Sequence, residues 1–309
     1  MSDKALISVS ELDPGLISMG TYEGELGEYE LFGIDSGDGF ALPLVETPFF
    51  KLAVVRHPGG QLGLAKVNRI EEVRDKLERE ARVLRTLQQI ARKIDLDAAV
   101  KGELLPNHGA FFPTVTEVID DEKLVLLLGY HMSINTYKQL IPLSVVTNEQ
   151  RIDLKSATWI LGKILKTLGF VHAIGFTVGN LNASTVLLER DAHGIVLFDF
   201  SQASEDPAEA EKLGEVTETA RIIWEACGGS DESPPPHDEA LMSKEHYTEY
   251  LEVLNRIMRG ETEGASAEHE LIYKLDEGLA DRIWPRREKT EGGLTVLKRD
   301  FHEFTVYPR

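Results

Sequence analysis

The sequence predicts an α+β fold in two lobes: a strand-rich N-terminal part that carries one long helix, and a mainly helical C-terminal part. Three observations support this. Two apolar runs, FFKLAVVRH and QLGLAKVN, flank the turn Pro58-Gly59-Gly60 and predict a β-hairpin. Apolar residues recur at three- and four-residue steps over 68–94, which predicts a helix. From residue 151 onward helical patterns dominate.

Residues 1–67 carry the pattern of strands and turns, with GTYEGELGEYELFGI as a weakly alternating, glycine-punctuated stretch. The helix over 68–94 is amphipathic and about seven turns long. Asn68 is its expected N-cap, with Glu71 three residues later. A looser segment containing Pro106 and Pro113 follows, and the apolar run KLVLLLGYH then predicts a strand over 124–128 that links the two parts.

The C-terminal part begins with the predicted helix RIDLKSATWILGKILKTLGFVHAIG. A second hairpin is predicted from TVLLER and GIVLFDF around residues 191–194. Two or three further helices are expected after it, with Cys227 packed at a helix end. The basic and aromatic C-terminal stretches, WPRREKTEGG and KRDFHEFTVYPR, are expected to pack on the helices, with a docking surface as the alternative.

Composition narrows the classes of partner. The chain has 309 residues and a formal net charge of −19. Such an acidic chain repels nucleic acid and anionic membranes, so neither is expected as a main partner. The single cysteine excludes an intramolecular disulfide, and we find neither a signal-peptide pattern nor an apolar run long enough for a membrane helix. These features predict a soluble cytoplasmic protein.

Four features stand in a suggestive order. Lys66 lies near the end of an apolar strand in GLAKV, and Glu80 borders the apolar stripe of the long helix. A helix ending in VHAIG leads into VGNLNAST, and Asp199 ends an apolar strand in LFDFS. Each residue alone has a simpler explanation. Lys66 could keep its ammonium in water, Glu80 could pair on the surface with Lys76, and Asp199 could cap a turn.

Together, the four features resemble the protein-kinase-like fold. That family carries a strand lysine, a helix glutamate, a catalytic loop H-R-D-L-x-x-x-N and a D-F-G motif. In kinase-like phosphotransferases the loop has the sequence H-G-D-L-x-x-x-N and follows L-H-x-x-G. Residues 171–185 resemble this motif in spacing. The resemblance spans roughly residues 40–230. It implies an N-terminal strand and turn extension at 1–40, a kinase-like N-lobe at 41–130, and a helical C-lobe with a C-terminal tail at 131–309.

The resemblance also implies roles for individual residues. Lys66 would hold the α- and β-phosphates of ATP and pair with Glu80, and Asp199 would bind Mg²⁺. Asn180 stands where the family has its catalytic aspartate, and Thr185 stands where the family has its second metal ligand, an asparagine. The expected cofactors are therefore ATP and Mg²⁺, if the site still binds a nucleotide.

Several departures from the family indicate lost chemistry. The neutral amide of Asn180 cannot accept the substrate proton as the aspartate does. The loop expected to cover the phosphates lies near VETP and lacks glycine. The segment after Asp199 has no A-P-E and leaves little room to dock a peptide substrate. His172 is expected to pack beneath the loop, and Asn182 and Ser184 are expected to shape its turn.

The leading hypothesis is therefore a pseudokinase that binds a protein partner, with or without gating by ATP. One alternative is an active, atypical ATP-dependent phosphotransferase, because phosphoryl transfer depends mostly on positioning and charge stabilisation. The other is a purely structural interaction protein, in which Lys66, Glu80 and Asp199 form only a buried charge network.

Overall fold

The computed structural model describes residues 7–8, 16–101, 112–120, 124–129, 140–189, 194–237, 243–273, 278–279, 287–289, 295–297 and 305–308. Within these ranges the chain is a mixed α+β fold, with a large antiparallel sheet in its N-terminal part and several helices in its C-terminal part. The α+β class predicted from the sequence is confirmed.

The strands and helices have the following bounds. The described strands are β1 (Ile7–Ser8), β2 (Leu16–Gly24), β3 (Gly27–Asp35), β4 (Ala41–Leu42), β5 (Val45–Glu46), β6 (Phe50–Arg56), β7 (Leu62–Asn68), β8 (Thr114–Asp120), β9 (Leu124–Gly129), β10 (Leu140–Pro142), β11 (Gln150–Ile152), β12 (Val186–Glu189), β13 (Gly194–Leu197), β14 (Arg287–Lys289), β15 (Thr295–Leu297) and β16 (Thr305–Pro308). The described α-helices are α1 (Arg74–Lys101), α2 (Leu143–Glu149), α3 (Leu154–Ala173), α4 (Glu209–Ala226), α5 (Lys244–Met258) and α6 (Ala265–Tyr273).

The large sheet runs in the spatial order β2-β3-β6-β7-β9-β8, and the short strands β4 and β5 pair with β3 and β6. The hairpin predicted around Pro58-Gly59-Gly60 is confirmed as β6 and β7, with Ala53 opposite Ala65. The hairpin β2–β3 joins this sheet because β3 pairs with β6. The domain boundaries at residues 40 and 130 stay predictions.

The long helix differs from its prediction at both ends. A short 3₁₀ helix, Glu71–Val73, precedes α1, and α1 continues to Lys101. Asn68 is not an N-cap, which corrects the sequence interpretation. Its side chain instead accepts a hydrogen bond from the backbone N–H of Leu124 at 2.8 Å and donates to the carbonyl of Ile70. The residue therefore joins the end of β7 to the start of β9.

The sequence analysis missed β8, which it assigned to a looser segment. This strand pairs with β9 and forms an edge of the sheet. Its Glu117 accepts hydrogen bonds from the hydroxyl of Tyr29 and the backbone N–H of Glu25, both at 2.6 Å, so the β2–β3 hairpin reaches back to the far edge. A second, smaller apolar cluster includes Leu31 of β3, Val55 of β6 and Leu127 of β9.

The helical part begins at α3, which Asp153 caps by accepting hydrogen bonds from the backbone N–H groups of Lys155 and Ser156. The second predicted hairpin is confirmed as β12 and β13, although its turn lies outside the described residues. Three described helices follow, as expected, and Cys227 is buried at the end of α4. One continuous apolar core extends from the large sheet into these helices.

A short strand near the C-terminus pairs with two strands from earlier in the chain. Strand β16 pairs with β11 and β1, so this piece of the tail lies against the segment that leads into α3.

Among the helices that the structure describes, each is too short or too polar to cross a lipid bilayer.

Candidate functional site

Lys66 lies on β7, a strand flanked on both sides by the apolar strands β6 and β9. Its side chain is fully buried, so the explanation that it keeps its ammonium in water is wrong. The Nζ atom donates to Oε2 of Glu80 at 2.7 Å and to Oδ1 of Asp199 at 2.5 Å. It also lies 4.0 Å from the centre of the Phe50 ring. The structure thus brings together the three charged residues that the sequence singled out.

Glu80 projects from α1 into the same interior and is also fully buried. It is not the surface partner of Lys76 that the simpler explanation required. One carboxylate oxygen takes the bond from Lys66, and the other accepts the backbone N–H of Phe200 at 2.8 Å. Burial raises the pKa of Glu80 to about 7, although Lys66 opposes the rise. Near neutral pH the carboxyl is therefore only partly ionised.

Asp199 follows β13 and is fully buried. Burial by itself raises its pKa, but the charge of Lys66 and hydrogen bonds from Lys66, Ser201 and Asn180 outweigh this, and its pKa lies below the ordinary value. Oδ1 accepts from Lys66 and from the backbone N–H of Ser201 at 3.1 Å. Oδ2 accepts from the side-chain amide of Asn180 at 2.5 Å. Asp199 is therefore the full negative charge that balances Lys66.

Asn180 sits in the loop after α3, where the kinase resemblance implies a catalytic aspartate. Its amide nitrogen donates to Asp199, and its oxygen accepts from the amide of Asn182 at 3.1 Å. A carboxylate at position 180 would instead face Asp199 as a like charge, which is unfavourable in a buried setting. The amide at position 180 therefore avoids a second negative charge beside Asp199 and supplies a hydrogen-bond donor instead.

Thr185 is expected from the resemblance at the position of a metal ligand. Its hydroxyl instead donates within the loop, with the carbonyls of Asn180 at 2.8 Å and Asn182 at 3.0 Å in range. The same oxygen accepts the backbone N–H of Asn182 at 3.0 Å. The side chain of Asn182 accepts the backbone N–H of Ser184 at 2.9 Å, which confirms the turn-shaping role of Asn182, while Ser184 takes part through its backbone. The hydroxyl of Thr185 is therefore occupied in holding the loop.

Glu215 of α4 is the residue in this region that the sequence analysis missed. One of its carboxylate oxygens lies 2.7 Å from Nε2 of His172, and the other accepts the backbone N–H of Gly179 at 2.5 Å. His172 is almost fully buried at the end of α3, in agreement with its expected packing role. Since Glu215 lies far along the chain from the loop it holds, no local pattern marks it. The only available signal was an acidic residue between apolar positions of a helix.

Gly179 has to be glycine for two reasons. Its φ is +86°, in the left-handed region that side-chain-bearing residues avoid. A Cβ atom there would also collide with the backbone of Gln202. The close approach places the loop directly against the segment that follows Asp199. The resulting arrangement holds Asn180 within reach of Asp199.

The connection that would cover the site differs from expectation. It joins β3 to β6 over residues 36–49, and it contains Gly37 and Gly39, both with positive φ. The connection is longer than the VETP stretch considered in the sequence, and its glycines lie upstream of that stretch. However, the part that lies beside Asn180 is Thr47–Phe50, which has no glycine. Together with Lys76, Leu77, Ser201 and other neighbours, that part lines a cavity of about 180 Å³.

The described side chains do not fit Mg²⁺ with ATP in this arrangement. Both oxygens of Asp199 already accept hydrogen bonds, and the group that faces it from Asn180 is a donor rather than a ligand oxygen. Mg²⁺ requires several oxygen ligands in nearly octahedral geometry. The cavity of about 180 Å³ is also smaller than the roughly 300–1,000 Å³ of typical small-molecule sites. Within the described ranges, no three His, Cys, Asp or Glu residues cluster as metal ligands would.

Comparison with known proteins adds no assignment. No protein-family model matches the chain, and no curated protein matches it significantly.

Proposed function

We propose that this chain is a kinase-like protein that works as a partner-binding scaffold, with weak or no phosphoryl transfer. The observation that carries the proposal is the hydrogen bond of 2.5 Å from the amide of Asn180 to Asp199. In the kinase frame position 180 would carry the base, and here it carries a hydrogen-bond donor to the would-be metal ligand. The residues needed for chemistry are thereby converted into a structural contact.

The proposal includes the bilobal kinase-like arrangement, with its strand-rich N-lobe and helical C-lobe. It is supported by the contacts that Lys66 of β7 makes with Glu80 of α1 and with Asp199, a residue of the C-terminal part. These are the same three residues that the resemblance brings together. In this proposal the charge network fastens the two parts instead of positioning phosphates.

The partner in this proposal is a protein, and neither nucleic acid nor membrane is a main ligand. The formal charge of −19 supports both exclusions, because like charges repel at long range. The proposal also places the protein in the cytoplasm, on the basis of a single, buried cysteine.

The decisive experiment measures phosphoryl transfer and nucleotide binding on the same samples. We expect no ATP turnover above that of an Asp199→Ala control at high protein concentration. We also expect no Mg²⁺-dependent rise of Tm with ATP, whereas a ligand at 100 times its Kd adds about 2.7 kcal/mol. A rise of Tm that disappears in Lys66→Ala would instead add ATP binding to the scaffold role.

One observation favours an active phosphotransferase as a second candidate. The ion pair between Lys66 and Glu80, at 2.7 Å, is the pairing that the kinase resemblance requires for catalysis. ATP turnover that Asp199→Ala abolishes would establish this candidate and overturn the scaffold proposal. Restoring the carboxylate with Asn180→Asp would then be expected to raise the rate about 10²–10⁴-fold, the usual contribution of a general base.

A further inference from the structure

A groove of about 800 Å³ lies between α1 and the segment that follows Asp199. Three arginines of α1, Arg79, Arg82 and Arg85, line it, with Gln202 and Ser204 contributed by the segment after Asp199. The groove adjoins the cavity beside Asn180 at Gln202, which lines both, and none of its lining residues belongs to the charge network of Lys66.

The three arginines are exposed, and among the described residues none of their side chains makes an ion pair or a hydrogen bond. Elsewhere in this acidic chain, six arginines form described ion pairs with carboxylates. Those with described ion pairs are Arg56, Arg69, Arg74, Arg221, Arg256 and Arg259. The exposed Arg92 of α1 also has no described ion pair, so what distinguishes Arg79, Arg82 and Arg85 is that they line one groove with their hydrogen-bonding capacity unused.

Asp75 and Glu78 of α1 lie four residues before Arg79 and Arg82, but neither forms a described ion pair with them, and no acidic residue follows Glu80 until Asp95. Residues 81–94 of α1 contain four basic residues and no acidic residue, in a chain whose net charge is −19. The neighbouring Glu80 is buried and committed to Lys66. Among the described residues no carboxylate of α1 is ion-paired with the three arginines, so they form a local positive charge in an acidic protein.

The spacing of the arginines suits an extended peptide. They follow one another at three-residue steps, so each step rises about 4.5 Å along the helix and the outer two are about 9 Å apart along its axis. Alternate side chains of an extended strand are about 6.6–6.8 Å apart on one face. Two or three acidic side chains of such a segment fall within reach of the row, and guanidinium groups bind carboxylates bidentately.

The other lining groups favour a peptide over a nucleic acid. Glu205 and Glu211 also line the groove and repel any anion, so the attraction is confined to the arginine side. A peptide whose acidic residues alternate with uncharged ones can direct its charges to that side, whereas a nucleic acid carries a charge at every phosphate. Within the described part of the chain, the side chains of Gln202 and Ser204 have no hydrogen-bond partner. They can therefore pair with the backbone N–H and C=O groups of a peptide.

We propose that this groove binds an acidic segment of a protein partner, whose carboxylates pair with Arg79, Arg82 and Arg85. The inference deepens the proposed function by naming the chemistry of the partner, and it rests on that function in treating the contact as the scaffold's binding surface.

The test measures fluorescence anisotropy of a labelled peptide of alternating glutamate and serine, with a glutamine and serine peptide as the uncharged probe. We expect the acidic peptide to bind and the uncharged one not to bind. The double variant Arg82→Glu/Arg85→Glu should weaken binding at least about tenfold, which corresponds to about 1.4 kcal/mol. High salt should weaken binding as well, because the contacts are exposed charge pairs.

The matched control is Arg56→Glu/Arg259→Glu, which changes the net charge by the same amount at exposed arginines on other surfaces. We expect it to weaken binding less than about twofold, as long-range charge alone would do. Should either double variant fold poorly by circular dichroism, the corresponding Arg→Gln pair replaces it.

Three results would overturn the inference: equal weakening by the two double variants, equal binding of the uncharged peptide, or tighter binding of a single-stranded oligonucleotide of matched charge. Failure of the proposed function would look different. ATP turnover by the unaltered protein would contradict the scaffold role, whether or not the acidic peptide binds. If there is neither ATP turnover nor peptide binding, only the proposal that the groove binds an acidic segment is overturned.

Discussion

At the scale of single residues, the charge state of a buried network decides how the candidate site behaves. Lys66 has two carboxylate partners and no exposed surface. The pKa of Asp199 is lowered and the pKa of Glu80 is raised to about 7, so the two acids divide their roles. Asp199 supplies the negative charge, and Glu80 is the group that still takes up a proton near neutral pH.

Replacing Lys66 by methionine is expected to lower the free energy of unfolding by about 3–5 kcal/mol, because it leaves two buried carboxyl groups without their cation. The measurement is denaturant unfolding. The control is Lys51→Met on the neighbouring strand, where Lys51 lies 3.6 Å from Glu46 and both side chains are partly exposed. That change is expected to cost no more than about 1 kcal/mol. Equal costs for the two variants would show that the buried network contributes no more than the exposed ion pair.

The raised pKa of Glu80 predicts that stability depends on pH. The folded state holds the proton more tightly than the unfolded state, whose carboxyl titrates near 4.5. The contribution is therefore fully present below pH 4.5 and is lost as the pH rises through about 7. Between pH 5 and 7 the loss amounts to about 2 kcal/mol.

The measurement for this prediction is the unfolding free energy of the wild type and of Glu80→Gln across that pH range. The variant removes the titrating group, so the difference between the two proteins isolates it from the histidines. The lowered pKa of Asp199 acts below its ordinary value of 3.8, outside this window. A difference that stays constant from pH 5 to 7 would contradict the raised pKa.

At the scale of structural elements, the loop after α3 is held by side chains from elements far away in the sequence. Glu215 of α4 binds the backbone of Gly179, and Asn180 binds Asp199 after β13. Thr185 closes the same loop on itself. Glu215 therefore fixes the position of Gly179, and the next residue, Asn180, hydrogen-bonds Asp199 of the charge network. Glu215 is in this sense a positioning residue for the loop.

Gly179→Ala is expected to destabilise the protein by about 2 kcal/mol or more, from a left-handed conformation costing roughly 1–2 kcal/mol and from the collision of the new Cβ with Gln202. Gly214→Ala is the matched control, since that glycine lies within α4 and a Cβ there meets nothing within 4 Å. It should raise stability by about 0.5–1 kcal/mol, as alanine favours a helix. Thermal and denaturant unfolding of both variants give the comparison, and a neutral Gly179→Ala would refute the argument.

At the scale of the whole molecule, one apolar core and one charge network join the sheet to the helices. The larger core includes residues of both parts, such as Leu64 of β7 and Leu168 of α3. Lys66 and Asp199, which are 133 positions apart, form a buried hydrogen bond. The two parts are thus expected to lose their structure together.

Hydrogen exchange tests this cooperativity. Peptides from the β6–β7 hairpin and from α3 are expected to show the same free energy of opening in their most protected amides, because a shared core makes the two parts one folding unit. Tryptophan fluorescence should follow the same transition as circular dichroism, although the three tryptophans, at positions 159, 224 and 284, all lie in the C-terminal part. Opening of the hairpin at a clearly lower free energy than α3 would contradict a single unit.

The sequence by itself determined the elements with strong local signals. Hairpin β6–β7, helix α1, hairpin β12–β13 and the helices of the C-terminal part all follow from periodicity and turn residues. It also selected Lys66, Glu80 and Asp199, because a family pattern placed them in order. Their partnership could only be hypothesised, since a lysine on a strand and a glutamate on a helix are more often on the surface.

Only the tertiary structure decided what those residues do. Strand β8 is stabilised by pairing with β9. Asn68 does not cap the helix, and its side chain instead accepts a hydrogen bond from the backbone N–H of Leu124. Glu215 acquires its role from a contact with Gly179, 36 positions away. Burial then sets the charges, raising the pKa of Glu80 while Lys66 holds Asp199 ionised. Such effects arise from long-range proximity and the exclusion of water, and neither is encoded in a local pattern of residues.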